Sequence, residues 1–125
     1  MVIFYFLTFY FLFSKNHQMT KVNLKSGVKE KVAHLNSPSG CAVLGGYGYA
    51  IEQGDAGQLV NISLKSGEKK IMLENLSGPM GVAVDDKSVY VGERHANRVR
   101  RVDRGSGRDS VYVSSLNSPI GLAIC

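Results

Sequence analysis

The stretch that decides the fold is LNSPIGLAI, residues 116–124, because it is the third copy of one pattern. LNSPSGCAV stands at residues 35–43 and LSGPMGVAV at residues 76–84. The positions shared by all three copies are Pro38, Pro79 and Pro119, Gly40, Gly81 and Gly121, and Ala42, Ala83 and Ala123. Successive prolines are 41 (79 − 38) and 40 (119 − 79) residues apart. A fixed period of this length is the signature of a repeat architecture.

A second marker keeps the same period. LKSG occurs at residues 24–27 and 64–67, and adding the period once more lands on Gly107 in DRGSG. Between the markers, short alternating stretches such as VYV at 89–91 and RVRRVD at 98–103 are separated by turn residues. Four strands in about 40 residues is the composition of one β-propeller blade. The sequence therefore predicts an all-β fold, a partial β-propeller of two to three four-stranded blades with a repeat of about 40 residues.

The Pro-x-Gly-x-Ala pattern has a physical reason in that architecture. Blades are wedges that are narrowest at the ring axis, so the innermost strand needs small side chains, which the shared glycines and alanines supply. Proline fixes φ where the chain passes from one blade to the next, at a position that needs no ladder donor. We therefore predict that this stretch forms the innermost strand of each blade.

The first residues, MVIFYFLTFYFLF at 1–13, differ in composition from the rest of the chain. This apolar run is shorter than the membrane span of about 20 residues, so no span is predicted. Segment 1–16 has three interpretations. It could form inner strands of a first blade, since FYF at 9–11 falls on VYV at 89–91 in the repeat register, or the apolar part of a signal peptide, although no Lys or Arg precedes it. The third interpretation is an artefact of gene prediction. A signal peptide would make the protein secreted; otherwise we expect it to be intracellular.

Residues 17–125 resemble six-bladed propeller repeats of the NHL type and the related YWTD and gluconolactonase-like propellers. The likeness is carried mainly by VYVGERHANRVRRVDRGSGRDSVYVSSLNSPIGLAI at 89–124. NHL repeats run strand, acidic residue, Asn-Arg-apolar, turn, strand and Pro-x-Gly; the matching residues are Glu93, Asn97, Arg98, Val99, Pro119 and Gly121. Of the YWTD signature only Tyr90 is present. The resemblance implies a fold and leaves the function open.

The number of repeats bears on the function. A closed propeller needs at least four blades, and this chain encodes three at best. We expect either a fragment of a longer chain or a homodimer in which two copies complete one six-bladed ring. The predicted function is a repeat scaffold for protein–protein or ligand binding, with a protein as the expected partner.

A piece of a metal-dependent propeller hydrolase is the alternative. Resemblance to the gluconolactonase-like enzymes implies metal ligands just before the glycine of each Pro-x-Gly turn, which are Ser39, Met80 and Ile120 in this chain. None of these is Asn, Asp or Glu, so that metal site does not carry over. The sequence predicts no catalytic residue, no metal site and no cofactor, and it disfavours catalysis.

Arginines concentrate in the last repeat, where the candidate binding residues are Arg94, Arg98, Arg100, Arg101 and Arg104. In the preceding repeat the third strand carries Val60, Ile62 and Leu64 on one face, and the equivalents are Arg100, Val102 and Arg104. We therefore expect this face of the last repeat to be exposed to solvent, unlike the equivalent face of the preceding repeat. One interpretation is an ordinary charged surface. The other, a second alternative function, is a patch that binds nucleic acid or another polyanion.

Overall fold

The computed structural model describes residues 8–13, 17–53 and 56–122, with side chains from residue 17 onward. This part of the chain forms eleven β-strands and no helix. The strands are β1 (Thr8–Phe13), β2 (Gln18–Asn23), β3 (Lys29–His34), β4 (Pro38–Leu44), β5 (Tyr47–Glu52), β6 (Gly57–Ser63), β7 (Lys69–Leu76), β8 (Pro79–Val84), β9 (Ser88–Glu93), β10 (Arg98–Asp103) and β11 (Asp109–Val113). The described residues contain no helix of the length and hydropathy that a membrane crossing requires.

The strands form three antiparallel sheets in chain order, which we call the first, second and third blades. The first blade holds β1, β2 and β3, the second β4 to β7, and the third β8 to β11, with each strand paired to its neighbour in sequence. The second and third blades are the four-stranded units that the repeat predicts. Their first strands, β4 and β8, begin at Pro38 and Pro79 and lie at one edge of their sheets, where the repeat predicts the innermost strand; the third copy of the stretch forms no strand over residues 116–122.

Between the blades lie two apolar cores. The first core joins Met19, Ala33 and Leu35 of the first blade to Ala50, Val60 and Ile62 of the second. The second core joins Tyr49, Ile51, Leu59, Leu73 and Leu76 of the second blade to Val82, Val89, Val91 and Val102 of the third. Each blade therefore uses one face toward the preceding blade and the opposite face, which we call its forward face, toward the next. Burial between neighbours stabilises stacked repeats in this way.

The LKSG marker and its equivalent DRGSG are the turns after β2, β6 and β10, the next-to-last strand of each blade. Gly27, Gly67 and Gly107 have φ values of +74°, +78° and +76°. Their amide groups donate hydrogen bonds of 2.8, 2.7 and 2.9 Å to the carbonyl oxygens of Asn23, Ser63 and Asp103. Because positive φ is costly for residues with a Cβ, glycine is favoured at this position. The repeat of the sequence marker is thus a repeat of backbone conformation.

The N-terminal run contributes strand β1, which pairs with β2 from Thr8↔Asn23 to Phe13↔Gln18. In the repeat register β1 occupies the place of β5 and β9, the second strands of the other two blades. Residues 1–7 and 14–16 lie outside the described residues. The choice among a first-blade strand, a signal peptide and an artefact for segment 1–16 stays a prediction.

Candidate functional site

A buried glutamate ends the second strand of each complete blade. Glu52 is 1% exposed and Glu93 is completely buried. The Glu93 carboxylate accepts hydrogen bonds from the Ser77 amide at 2.8 Å and from Arg98 Nε at 2.8 Å. Glu52 accepts from the Asn36 amide at 2.6 Å and from Lys69 Nζ at 2.8 Å. Each carboxylate therefore ties the loop before Pro-x-Gly to its own blade.

Opposing effects set the pKa of these two glutamates. Burial by itself raises the pKa of Glu93, but the Arg98 hydrogen bond, the Ser77 amide and the charges of Arg98 and Arg100 outweigh it, so the pKa lies below its usual value. For Glu52, burial also raises the pKa, and hydrogen bonds from Lys69, Asn36 and Gln58 bring it below the usual value. Both carboxylates are held ionised by the fold.

Two of the candidate arginines serve Glu93. Arg98 forms an ion pair with it at 2.8 Å, and Arg100 Nη1 lies 3.6 Å from Glu93 Oε1. Arg100 also pairs with Asp109. The expectation of a solvated face is wrong for this strand, because Val102 is completely buried and the Arg100 side chain is only 18% exposed. At the repeat position of Val60, the charge of Arg100 is balanced by the buried Glu93 carboxylate and by Asp109.

Arg104 links the third blade to the second. Its Nε donates a 2.8 Å hydrogen bond to the Tyr49 hydroxyl, and its guanidinium carbon lies 5.4 Å from the centre of the Tyr49 ring. Further hydrogen bonds run from Arg104 to the Leu44, Asp85 and Asp86 carbonyl oxygens at 3.4, 3.3 and 3.2 Å. Arg104 thus occupies the repeat position of Leu64, and its guanidinium group forms hydrogen bonds to other residues of the same chain.

The other two candidate arginines, Arg94 and Arg101, are exposed but lie in different surroundings. Arg101 is exposed and lies over the Tyr112 ring, 5.3 Å from its centre. Arg94 is exposed and follows β9 directly, in the repeat position of Gln53, whose side chain donates a 3.1 Å hydrogen bond to Ser39 Oγ. The five candidates therefore divide into Arg98 and Arg100 at Glu93, Arg104 at the blade boundary, and Arg94 and Arg101 at the surface. Polyanion binding by these residues stays a prediction.

The positions before the Pro-x-Gly glycines hold no set of metal ligands. Ser39 Oγ lies 3.5 Å from the Pro79 carbonyl oxygen, and Met80 Sδ lies 3.7 Å from the Gln53 amide nitrogen. Ile120 is exposed. Across residues 17–53 and 56–122, no group of three His, Cys, Asp or Glu side chains lies close enough to hold a metal ion. The geometry places Ser39, Met80 and Ile120 in contacts between neighbouring inner strands.

Two clefts occupy the same place in the second and third blades. The second-blade cleft includes Asn61, Ser66 and Glu68. The third-blade cleft includes Arg101, Ser106 and Arg108, each of which is 40 residues further along the chain. Arg104 and Gly105 of the third blade complete the wall of the second-blade cleft. The third-blade cleft is lined by its own blade alone within the described residues.

Within the described residues no following blade covers the outer strands of the third blade's forward face, although residues 120–122 lie against Gly81 of its inner strand. We call Tyr90, Arg101, Tyr112 and Val113 of this face the open face; Val99, which lies beside them, is buried at 7% exposure. Tyr90 and Tyr112 pack edge to face with ring centres 5.3 Å apart. Tyr112 is 54% exposed, and Val113 is 40% exposed.

Comparison with the other blades shows what the open face lacks. Ala33 and Leu73, at the repeat positions of Val113, are only 6% and 8% exposed because the next blade covers them. The sequence prediction missed this surface, although the period of 40 that places Val113 on Leu73 could have found it.

The comparisons with known proteins agree with this architecture. No protein-family model and no curated protein sequence matches the chain. Among solved structures, the chain is similar to a chain in the crystal structure of a nidogen/laminin complex, with a TM-score of 0.83 and 15% sequence identity. The match covers 94% of this chain and 48% of that chain, so the protein spans about half the length of its structural neighbour. At this identity the similarity concerns the fold.

Three consecutive antiparallel sheets, cores between successive sheets and this structural match together identify the fold. The predicted class is confirmed: the protein is an all-β, partial β-propeller with a repeat of about 40 residues.

Proposed function

We propose that this chain is a propeller scaffold that recognises another protein, and that the open face is the surface that it uses. The observation that carries the proposal is the exposure of Tyr112 and Val113, whose repeat equivalents in the second blade are covered by a neighbour. Exposed, contiguous apolar surface of this kind is typical of interaction sites. The structural neighbour, a chain of a nidogen/laminin complex, belongs to a protein–protein assembly, which supports the same function.

The composition of the open face also fits protein recognition. Tyrosine and arginine are enriched at protein interfaces, since they combine apolar area with hydrogen-bonding groups. Tyr90, Tyr112 and Arg101 contact one another through an edge-to-face ring pair and a cation–π contact. These contacts hold Tyr112 in place before a partner binds, which lowers the entropic cost of binding.

We further propose that the repeats are of the NHL type. The residues that carry the resemblance act together in the third blade: Glu93 pairs with Arg98, and Asn97 Oδ1 accepts a 2.9 Å hydrogen bond from the Ser118 amide. The Asn97 carbonyl oxygen also accepts a 2.8 Å hydrogen bond from the Leu116 amide. These contacts support a common role for the motif, which is to fix the loop that leads into Pro-x-Gly.

A site-specific crosslink tests the proposed binding surface. A photoreactive benzoylphenylalanine in place of Tyr112 should form, on irradiation in cells, an adduct with one polypeptide that mass spectrometry identifies and that purified components reproduce. The same group in place of Tyr47, an exposed tyrosine of the second blade, is the matched control. Absence of any reproducible adduct at position 112, or identical adducts at both positions, would contradict binding through the open face.

A further inference from the structure

We infer that the partner of the open face is the first blade of a second copy of this chain, so that two copies close one ring. This inference rests on the proposed function, because it names the protein that covers the open face. The two boundaries between blades within the chain show which strands pack against a forward face. At both boundaries the forward face packs against the first, second and third strands of the blade that follows.

Among its described strands, the first blade supplies β1 and β2 at the second and third strand positions of such a boundary. In the second blade, Val60 and Ile62 of β6 and the following Leu64 pack toward the preceding blade. The residues 40 positions earlier are Thr20, which is buried at 3% exposure, Val22, which is partly exposed, and Leu24. Leu24 is 44% exposed and lies between Asn23 and Lys25 at the start of a polar turn. An apolar residue is thus exposed at the position that Leu64 uses to contact the preceding blade.

The repeat register pairs this surface with the open face. Arg104, which corresponds to Leu24, contacts the ring and hydroxyl of Tyr49 on the blade before it. The equivalent of Tyr49 on the third blade is Tyr90, which packs against Tyr112. A second copy stacked with the same register therefore places its Leu24 over Tyr90 and Tyr112. Leu24, Tyr112 and Val113 are all exposed in one chain, so this contact would bury apolar area that one chain leaves in water.

The two clefts support the same register. Arg104 and Gly105 form the wall of the second-blade cleft that comes from the next blade. The third-blade cleft, built from the equivalent residues, has no such wall within the described part of the chain. Residues Leu24 and Lys25 correspond to Arg104 and Gly105 and would supply it.

The number of blades fits a ring made of two copies. The described residues form three sheets, and the chain covers 48% of the propeller chain that it resembles. Two copies related by a two-fold axis join the third blade of each to the first blade of the other. The same contact then forms twice, as closed symmetry requires.

Light scattering on the purified chain tests the inference. We expect a particle of twice the 13.6 kDa chain mass that dissociates on dilution. Leu24→Asp and Tyr112→Asp should each shift the mass to that of one chain, because each places a charge in both copies of the contact. Ile71→Asp is the matched control: Ile71 is 53% exposed but belongs to the middle blade, so the dimer should persist. Far-ultraviolet circular dichroism checks that every variant keeps its strand content.

Mixing the two variants separates loss of contact from loss of folding. In a mixed dimer one contact contains both substitutions, while the other contains none. An equimolar mixture of Leu24→Asp and Tyr112→Asp should therefore regain two-chain particles that neither variant forms at the same concentration. Misfolded variants would show no such recovery.

The outcomes also separate this inference from the proposed function. A wild-type chain that is monomeric at all concentrations, or a dimer that survives both substitutions, overturns ring closure by a second copy. If the crosslink at position 112 then captures one identified different protein, the scaffold function stands and only the identity of the partner is wrong. If position 112 captures nothing, both proposals fail.

Discussion

Gly40 lies so close to Met80 of the next blade that a Cβ atom on Gly40 would be 2.7 Å from the Met80 carbonyl oxygen. Gly81 stands in the same relation to Ile120, with a distance of 2.6 Å. Neither approach leaves room for a methyl group, and the obstructing atoms belong to the backbone, which moves less readily than a side-chain end. The glycines of Pro-x-Gly therefore set how closely neighbouring inner strands pack.

Alanine at these glycines should separate the inner strands. We expect Gly40→Ala and Gly81→Ala each to lower the free energy of unfolding by about 1–3 kcal/mol, measured by urea denaturation, since overpacking forces backbone shifts. Gly121→Ala is the control at the same repeat position, where no described atom lies within 4 Å of the added methyl group. An equal loss at all three positions would contradict this account.

The buried glutamates should make stability depend on pH. The folded-state pKa of Glu52 and of Glu93 lies below its usual value. As the solution is acidified, these glutamates therefore take up protons in the unfolded chain before they do so in the folded chain. Their contribution is therefore complete above the unfolded pKa of about 4.3 and is lost as pH falls through the lower folded-state pKa. The free energy of unfolding of the wild type should decrease steeply across this range.

Substitution by glutamine isolates the glutamate contribution. Glu93→Gln should cost about 2–3 kcal/mol at neutral pH, because hydrogen bonds to charged groups are lost, and should flatten the acid limb of the stability curve. Glu30→Gln is the control, since the ion pair of Glu30 with Lys21 is exposed to solvent. Urea denaturation at a series of pH values measures both. Parallel curves for Glu93→Gln and the wild type would refute the role of Glu93.

The contact between Arg104 and Tyr49 should couple the second and third blades. We expect Arg104→Leu, which introduces the residue of the preceding repeat, and Tyr49→Phe each to destabilise the chain by about 1 kcal/mol. In a double-mutant cycle their coupling energy should be about 0.5–1.5 kcal/mol. Arg101→Leu with Tyr49→Phe is the control pair, since Arg101 lies on the opposite face of its blade and should give additive effects.

The three turn glycines offer a matched series. Alanine at Gly27, Gly67 or Gly107 should cost about 1–2 kcal/mol, because all three have positive φ. Gly67→Ala should cost more, since its Cβ would lie 2.5 Å from the Val32 carbonyl oxygen, whereas nothing lies within 4 Å at Gly27 or Gly107. Thermal unfolding followed by circular dichroism ranks the three variants. A uniform loss would show that Gly67 has no special packing with the first blade.

Much of the fold could be predicted from the sequence because the determinants are local and repeated. The turn at LKSG depends on a glycine that tolerates positive φ, and the start of each innermost strand depends on proline. Both effects act within a few residues, so they recur wherever the residues recur. Strand order follows as well, since short turns join neighbouring antiparallel strands.

The roles of the arginines could not be predicted in the same way. Arg100 and Arg104 occupy apolar positions of the repeat, which suggested a solvated face. The structure instead gives Arg100 the buried Glu93 carboxylate and gives Arg104 the Tyr49 hydroxyl. These partners lie on another strand or another blade, at sequence separations for which the repeat period holds no information.

The sequence by itself determined the repeat, the strands and the turns of this protein, because proline, glycine and alternating apolar residues act on the backbone nearby. Tertiary structure alone decided which faces are covered. Leu73 and Val113 hold the same place in the same pattern, yet one is 8% exposed and the other 40%. The third blade covers Leu73, whereas no following blade covers Val113 within the described residues. Burial therefore depends on which residues lie nearby in space and not on the local sequence pattern.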